Sequence, residues 1–474
     1  MRTFHADATP DPATAQRPDR VRRARRARVR SAVLAPGTAV LIAVCGMPLA
    51  ASGAAAAAPP VAAGAADPVP VPSGPSALTA GPALKPIDPA ALRSAVDAAA
   101  KKLMVPGVVV LLRTPQGTFR ALTGTAELGK GRPPTTADHF RIASNTKTMT
   151  SALIQLLVQD GKVRLTDPVS DYVPGVPGGA GITIAELLEM RSGLYNYTDA
   201  PEFSATLDAD PGKAWTPREV LGIAFRHAPD AAPGTEYAYD NTNYALLGLV
   251  AEKAGGRPLA EQFRDRLFTP LGLAGTSLPG IHDTSLPAPY AHGYMYGGSA
   301  HAMTDEPYPA DVRAAARSGK LKPLDYTHQN SSYATAAGGV ISTADDMATW
   351  IKALVTGRVL DPGSQKRWLD SPRPQNPAAP EAQQYGYGIA YQRFTPQASM
   401  YFHGGELPGF NSFIGHDPDN DVTLIVWANL TVSLDAKAAA MALLPTILNQ
   451  VYAGVSYPTV TDHDDPGRQS RASR

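Results

Sequence analysis

Strand-like segments lie near both ends of the chain, and helical patterns fill the stretch between them. Residues 107–113 and 118–124 flank a Pro-Gln-Gly turn and predict a β-hairpin. Later segments with the same strand-like character are 387–392, 399–403, 411–416 and 422–429. Strands at both ends indicate one antiparallel sheet made from the two termini and flanked by helices, with a mainly helical region inserted. That is an α+β fold.

The helical segments are marked by apolar periodicity and by capping residues. Asp88 can cap a helix that begins at Pro89, and the sequence around Thr343 has a capping-type start. The predicted helices are 89–102, 144–160, 183–190, 244–253, 343–355 and 435–451.

The first 58 residues have the order of an export signal. A basic segment at 22–30 precedes an apolar run at 32–49 and a small-residue tract at 50–58. An uncleaved signal-anchor helix is the alternative, but prolines and glycines interrupt the apolar run. We therefore predict that residues 1–58 are a signal peptide. The mature chain is then secreted, extracellular or cell-wall associated, and has no stable membrane span.

The rest of the chain divides by composition. Residues 59–86 are rich in Ala, Pro and Gly and predict a linker; 87–456 form the folded domain, and 457–474 a polar tail. Cys45 is the only cysteine, so the mature chain has no disulfide and no thiol nucleophile. A lipoprotein signal at Cys45 is disfavoured by its bulky neighbour Val44, and a twin-arginine route also fits poorly.

Overall composition excludes several classes of function. The 474 residues are 44% hydrophobic and 18% charged with a net charge of +1, which indicates a globular protein without a basic face for nucleic acid. No His-Glu-x-x-His pattern supports a zinc hydrolase, and no Gly-x-Ser-x-Gly supports an α/β-hydrolase. We expect no metal and no cofactor.

Ser144 opens a predicted helix, and Lys147 lies three residues on, within reach on the same face. The Lys147 ammonium and the positive end of the helix dipole both favour a developing alkoxide on Ser144. A capping serine followed by a solvated lysine is the structural alternative. Because this is the only Ser-x-x-Lys in the chain, partners elsewhere must decide between the two interpretations.

Two further motifs carry polar groups. Tyr239 and Asn241 are two residues apart at the start of a predicted helix, so an extended loop points both side chains the same way. In the second motif, His403 ends a predicted strand and is followed by Gly404 and Gly405, which let a ligand or another backbone approach closely. A core tyrosine and a hydrogen-bonded strand histidine are the structural alternatives.

With these motifs in this order, the chain resembles the serine β-lactamase and penicillin-binding superfamily. The resemblance is to D-alanyl-D-alanine carboxypeptidases and class C-type β-lactamases in particular, and it covers about 88–454. The pattern is Ser-x-x-Lys, Tyr-x-Asn, then Lys or His with Thr-Gly or a relative. Further matching phrases are 140–147, 160–168, 187–194, 267–273 and 337–346. The resemblance implies a β-lactamase/transpeptidase-like fold.

The resemblance also implies roles for the motif residues. Ser144 is the nucleophile, and Lys147 holds or receives its proton. Tyr239 acts as a base and later as an acid; its ordinary pKa of about 10 would have to be lowered, which Lys147 could do. Asn241 orients the substrate and Lys147. The oxyanion is expected between the backbone N–H groups of Ser144 and Glu406.

One position departs from the family pattern. The residue after the Lys or His carries a hydroxyl that helps to bind a substrate carboxylate, but here it is Gly404. Carboxylate recognition must then come from His403, from an arginine elsewhere, or from nothing. His403 and Gly405 remain compatible with relatives of other specificity. Tyr333 falls where some relatives place a Trp over the substrate.

The sequence therefore predicts a secreted serine hydrolase with an acyl-enzyme on Ser144. The leading substrates are D-Ala-D-Ala-type cell-wall peptides. The alternatives are an esterase or a β-lactamase of the same superfamily, or a non-catalytic penicillin-binding module. The partner is a small molecule or cell-wall peptide, β-lactams included. The sequence leaves open the true substrate, the acylation base and the oligomeric state.

Overall fold

Twelve β-strands occur in the part of the chain that this computed structural model describes, residues 83–303 and 308–455. They are β1 (Gly107–Thr114), β2 (Gly117–Gly124), β3 (Phe140–Arg141), β4 (Tyr294–Met295), β5 (Leu324–Asp325), β6 (Ile341–Ser342), β7 (Arg373–Pro374), β8 (Gln384–Tyr385), β9 (Ala390–Thr395), β10 (Ala398–Leu407), β11 (Phe410–Asp417) and β12 (Val422–Ala428).

Eight of these strands form one antiparallel sheet in the order β2-β1-β12-β11-β10-β9-β8-β7. Strand β1 pairs with β12, with Val109 opposite Trp427, so the N-terminal hairpin and the C-terminal strands share a single sheet. This confirms the predicted joining of the two termini. Strands β11 and β12 are buried along their whole length, because side chains on both of their faces are covered.

The α-helices of the described residues lie mainly between the two groups of strands. They are α1 (Pro89–Lys102), α2 (Thr146–Gln159), α3 (Ile184–Leu188), α4 (Pro201–Ala209), α5 (Pro217–Ala224), α6 (Asn241–Gly255), α7 (Leu259–Phe263), α8 (Thr269–Leu271), α9 (Ala300–Met303), α10 (Ala310–Arg317), α11 (Thr335–Gly338), α12 (Ala344–Val355), α13 (Pro362–Leu369) and α14 (Leu444–Val451).

Helix α2 is the centre of the inserted helical region. It contacts α6 and α11, and almost every residue from Thr146 to Leu157 is buried. Its apolar residues recur at helical spacing, which alone predicts burial along one side. Thr150 and Ser151 on the other side are buried as well, and both are hydrogen-bonded: the Thr150 hydroxyl donates to Ala336 O (2.7 Å) and the Ser151 hydroxyl to Tyr387 O (2.6 Å).

The last predicted helix is too long at its start. Helix α14 begins at Leu444, whereas the prediction began at residue 435. Ala436 has a φ of +57°, and Val432 pairs with Ala438, so the chain turns where a helix was expected. Pro445 then lies in the first turn of α14, where its missing N–H costs nothing.

Several predicted segments lie outside the described residues: the signal peptide (1–58), nearly all of the linker (59–86) and the polar tail (457–474). At the linker's end, Leu84 forms a bridge with Tyr452, so pairing begins a few residues before the predicted domain start. None of the helices in residues 83–303 and 308–455 combines the length and apolar character that a membrane span requires.

Candidate active site

Ser144 lies in a short 3₁₀ turn, Ala143–Asn145, that leads directly into α2. The preceding residue, Ala143, has a φ of +50°, a left-handed conformation that is unfavourable for a non-glycine residue and occurs preferentially at functional sites. Asn145 ties the turn to the sheet, since its Nδ2 donates to Ser412 Oγ on β11 (2.8 Å). The turn that carries the serine is thus held in a fixed position.

The Lys147 side chain is fully buried and makes three hydrogen bonds. Its Nζ lies 3.0 Å from Ser144 Oγ, 2.7 Å from Asn241 Oδ1 and 2.8 Å from Ala337 O. The amide and carbonyl oxygens can only accept. A neutral amine can therefore donate to these two oxygens and keep its lone pair for the hydroxyl proton of Ser144.

The protonation state of Lys147 is set by its surroundings. Burial lowers the pKa of Lys147 well below its ordinary value, and the negative charge of Asp240 opposes this only in part. The neutral amine is thereby favoured over the ammonium. In this state Lys147 can take a proton from Ser144, which is the requirement for a general base.

Asn241 begins α6, and a chain of hydrogen bonds fixes which end of its amide faces Lys147. Its Nδ2 donates to Thr198 Oγ1 (3.1 Å), and the Thr198 hydroxyl donates to Asn196 Oδ1 (3.0 Å). Asn196 in turn donates from Nδ2 to Asp199 Oδ1 (2.9 Å). Because Thr198 has given its proton away, it must accept from Asn241, and the Asn241 oxygen is left facing Lys147.

The Asn196, Thr198 and Asp199 side chains were not among the predicted site residues. They lie in and next to a 3₁₀ turn, Tyr197–Asp199, well before the Tyr-x-Asn motif in the chain. A run of short polar side chains at 196–199 is the signal that could have found them, since such residues hydrogen-bond locally.

Tyr239 lies on the other side of the serine. Its hydroxyl is hydrogen-bonded to Ser144, and Lys147 Nζ lies 4.9 Å from the centre of its ring. Burial raises the pKa of Tyr239 above its ordinary value; the charges of Glu406 and Asp240 add to this, and the bond to Ser144 opposes it. The expected lowering by Lys147 was wrong, because burial disfavours both the phenolate and the ammonium.

The family model described as Beta-lactamase matches residues 92–446 of the chain. The chain belongs to the beta-lactamase family. It is therefore a member of the serine β-lactamase and penicillin-binding superfamily, whose members are serine hydrolases, and the predicted fold class is confirmed by its structural neighbours.

Among curated relatives, penicillin-binding protein 4* of Bacillus subtilis is 26% identical over 69% of this chain and 68% of its own length. Other curated relatives are covered over only 62% and 53% of their lengths. Among solved structures, a D-stereospecific amidohydrolase from Streptomyces sp. is similar with a TM-score of 0.64 and 29% identity, over 75% of this chain and 97% of its own.

A second similar structure is a D-amino acid amidase from Ochrobactrum anthropi SV3 complexed with D-phenylalanine. Its TM-score is 0.63 and its identity 28%, over 76% of this chain and 98% of its own. The D-stereospecific amidohydrolase and the D-amino acid amidase are thus both matched along nearly their whole length by this chain.

His403 occupies the position where the family pattern has Lys or His, but it carries no charge here. Its Nδ1 lies 2.6 Å from Gly404 O, which can only accept, and its Nε2 lies 3.0 Å from the Tyr385 hydroxyl. Burial lowers the pKa of His403 to about 3. His403 is therefore a neutral, oriented side chain, and it supplies no cation to a substrate carboxylate.

Tyr385 is a site residue that the sequence did not reveal. It belongs to the short strand β8, is buried, and packs edge-on to the Tyr239 ring with 6.3 Å between ring centres. The sequence signal that could have revealed Tyr385 is the pair of glycines that follows it, Gly386 and Gly388. A Cβ on Gly388, which has a φ of +70°, would lie 2.8 Å from Lys147 O, so this loop must approach α2 closely.

The two predicted substrate-binding glycines differ in their surroundings. A Cβ on Gly405 would overlap the carbonyl oxygen of Ile142, so Gly405 lets β10 pack on the backbone before Ser144 and has no room for a substrate. A Cβ on Gly404 would make only ordinary contacts, with Met441 Sδ at 3.6 Å the nearest. Gly404 is thus open to a side chain that the chain does not supply.

The backbone N–H of Glu406 lies at an open strand edge. Strand β10 pairs with β9 only as far as Phe402, while its hairpin with β11 closes at Leu407 opposite Phe410. Because N–H groups alternate in direction along an antiparallel strand, the N–H of Glu406 points away from β11. This direction suits the predicted oxyanion role, which stays a prediction.

Tyr333 does not cover the site as predicted. It is only 2% exposed, and its ring packs edge-on against Phe203 with 5.3 Å between ring centres. Its backbone oxygen accepts from the Tyr197 hydroxyl (2.8 Å). The turn that carries Tyr333 directs its side chain into an aromatic cluster instead of toward the substrate.

Titratable side chains elsewhere do not form a metal site in the described part of the chain. No group of three or more His, Cys, Asp or Glu residues there could hold a metal ion. The candidate site is thus built from Ser144, Lys147, Tyr239 and Asn241, with His403 and Tyr385 packed beside them.

Proposed function

We propose that this protein is an exported serine hydrolase that cleaves amides or esters of D-amino acids through an acyl-enzyme on Ser144. The observation that carries the proposal is the buried Lys147 amine, bound to Ser144 Oγ with its remaining hydrogen bonds used by two acceptors. Such an amine is poised to take the hydroxyl proton as the nucleophile attacks.

The proposed reaction has two steps, acylation of Ser144 and hydrolysis of the acyl-enzyme. Ser144 Oγ bonds to the substrate carbonyl carbon while its proton passes to Lys147, and the oxyanion binds the predicted N–H donors of Ser144 and Glu406. The leaving amine or alcohol then departs with the Tyr239 proton, which Lys147 replaces. Water attacks the resulting ester by the same proton route in reverse, releasing the acid and Ser144.

The substrate class follows from what the site lacks. Gly404 offers no hydroxyl and His403 no charge, so neither of these residues recognises a terminal carboxylate. Similarity to a D-amino acid amidase, matched over 98% of its length, supports D-amino-acid amides as substrates, and similarity to a D-stereospecific amidohydrolase, matched over 97%, agrees with a D-configured substrate. The D-Ala-D-Ala carboxypeptidase function is the second candidate, and similarity to penicillin-binding protein 4* supports it. An esterase, a β-lactamase and a non-catalytic penicillin-binding module are the remaining alternatives.

Export is proposed from the sequence alone. The charged, apolar and small-residue segments of 1–58 have the order of a cleaved signal. The proposed location is therefore extracellular or at the cell wall.

The test compares four substrates side by side: D-alanine amide, a short-chain ester, a D-Ala-D-Ala peptide and penicillin. We expect amide and ester turnover to exceed peptide and penicillin turnover. Ser144→Ala should abolish turnover of all four and eliminate covalent labelling by an active-serine probe in intact-mass measurement, with an unchanged circular dichroism spectrum. Turnover near the wild-type rate in Ser144→Ala would exclude Ser144 as nucleophile, and peptide turnover above amide turnover would favour the carboxypeptidase.

A further inference from the structure

We propose that Thr198 is a positioning residue of the reaction, which acts through Asn241 to keep the lone pair of Lys147 directed at Ser144. Thr198 lies outside the Ser-x-x-Lys and Tyr-x-Asn motifs. This inference rests on the proposed function, because it requires Lys147 to take the hydroxyl proton of Ser144. It adds a residue on which that proton transfer depends.

The orientation of the Asn196 amide is fixed by a backbone donor. The backbone N–H of Asn241 donates to Asn196 Oδ1 (3.1 Å), and a backbone N–H can only donate. At the other end of the amide, Asn196 Nδ2 donates to Asp199 Oδ1 (2.9 Å), a carboxylate oxygen that accepts. Reversing the Asn196 amide would therefore lose both hydrogen bonds.

The Asn196 oxygen in turn directs the proton of Thr198. Thr198 Oγ1 lies 3.0 Å from Asn196 Oδ1 and 3.1 Å from Asn241 Nδ2. Because a hydroxyl has one proton, Thr198 donates to the Asn196 oxygen and accepts from the Asn241 nitrogen. The backbone N–H of Asn241 thus sets the orientation of its own side chain through a closed circuit of hydrogen bonds.

The orientation of the Asn241 amide decides whether Lys147 can act as a base. With Asn241 Oδ1 at 2.7 Å from Lys147 Nζ, the amide oxygen accepts an N–H of the amine and also stabilises the ammonium formed during acylation. In the reverse orientation an amide N–H would point at Nζ and occupy its lone pair. The amine could then no longer take the proton of Ser144.

The turn that carries Thr198 is attached to α6 by separate hydrogen bonds. Tyr197 N donates to Thr242 Oγ1 (3.2 Å), and the Thr242 hydroxyl donates to Tyr195 O (2.8 Å). Thr198 is only 4% exposed, so its hydroxyl is shielded from solvent. Removing this hydroxyl should therefore release the Asn241 amide while the turn stays in place.

The experiment measures kcat/KM for an amide and for a p-nitrophenyl ester that the wild type hydrolyses. Thr198→Val keeps the shape of the side chain but cannot accept a hydrogen bond. It should lower both values by a similar factor, about tenfold to a hundredfold, because both substrates need the base. Thr198→Ser keeps the hydroxyl and should retain values near those of the wild type.

The matched control is Thr276→Val, which removes a buried threonine hydroxyl bonded to Ser342 and Asp346. It should leave both values unchanged. Circular dichroism and urea unfolding check that the variants fold. If Thr198→Val does not fold, Thr198→Ala takes its place, since it removes the same hydroxyl without adding a methyl group, and the same loss is expected.

The outcomes separate this inference from the proposed function. Wild-type activity in the folded variant without the hydroxyl would overturn the inference, and so would an equal loss in Thr198→Ser. A loss confined to the amide would also overturn it, because Thr198 would then act on the Tyr239 proton and not on the base. Amide and ester hydrolysis that persists in Ser144→Ala would instead overturn the proposed function.

Discussion

At the scale of single residues, burial divides the proton chemistry between two groups. Lys147 and Tyr239 both contact Ser144, and burial disfavours the charged form of each. A neutral lysine has a lone pair to accept a proton, whereas a neutral tyrosine has a proton to donate. The structure therefore favours Lys147 as the acylation base and Tyr239 as the acid toward the leaving group.

This division predicts a dependence on the leaving group. Tyr239→Phe should lower the acylation rate for an amide by about 10²–10⁴, because an amine cannot leave without a proton. It should lower the rate much less for a p-nitrophenyl ester, whose leaving group needs none. Lys147→Ala should lower both by a similar large factor. Stopped-flow acylation rates check this, with circular dichroism as the control for folding.

An equal loss on both substrates in Tyr239→Phe would assign the base role to Tyr239 as well. A Lys147→Ala variant that kept most of its ester acylation would exclude Lys147 as the base.

At the scale of elements, strand β10 packs against the nucleophile turn at Gly405, whereas the adjacent Gly404 has room for a side chain. Gly405 is confined by Ile142 O and by Asn145 Nδ2, which would lie 2.7 Å from a Cβ. Gly404 has only ordinary contacts around the same hypothetical atom. Gly405 is thus required for close packing, whereas Gly404 leaves unfilled the position where the family pattern has a hydroxyl side chain.

The two positions form a matched pair of variants. Gly404→Thr should fold normally and raise kcat/KM for a D-Ala-D-Ala peptide and for penicillin relative to a neutral ester, because it adds a hydroxyl for the carboxylate. Gly405→Thr should lower the free energy of unfolding by about 1–3 kcal/mol or more, since overpacking displaces the serine turn. Kinetics and urea unfolding measure the two effects. An unchanged substrate ratio in Gly404→Thr would place carboxylate recognition elsewhere.

At the scale of the whole molecule, buried histidines link stability to pH. Burial lowers the pKa of His403 to about 3 and the pKa of His416 to about 4. Both values lie below the unfolded value of about 6.5. The folded protein therefore binds fewer protons than the unfolded chain below that pH, and this contribution to stability falls as the pH is lowered. Buried Glu189 and Asp417, whose pKa values burial raises, act in the opposite direction.

The test uses His416, which is remote from the proton route. When the pH falls from 7 to 5, His416 should lower the free energy of unfolding by about 2 kcal/mol. His416→Gln should remove that part of the pH dependence. Urea unfolding at the two pH values measures the difference. His282→Gln, at an exposed histidine, is the control. The same pH dependence in His416→Gln and wild type would contradict the prediction.

The sequence by itself determined six of the eight strands of the main sheet and the order of the catalytic motifs. The hairpin of β1 and β2 and the strands β9 to β12 follow from local apolar patterns and turn residues. Ser144 with Lys147, and Tyr239 with Asn241, are recognisable because each pair is close in the chain and one helix start or loop positions both members.

Only the tertiary structure decided the charges and the neighbours. The pKa directions of Lys147, Tyr239 and His403 depend on burial by elements far away in the chain, which no local pattern contains. Tyr385 reaches the site from a two-residue strand that has no periodicity to detect. The inward turn of Tyr333 and the start of α14 were likewise set by packing, because neighbouring elements override local preference when they bury the same residues.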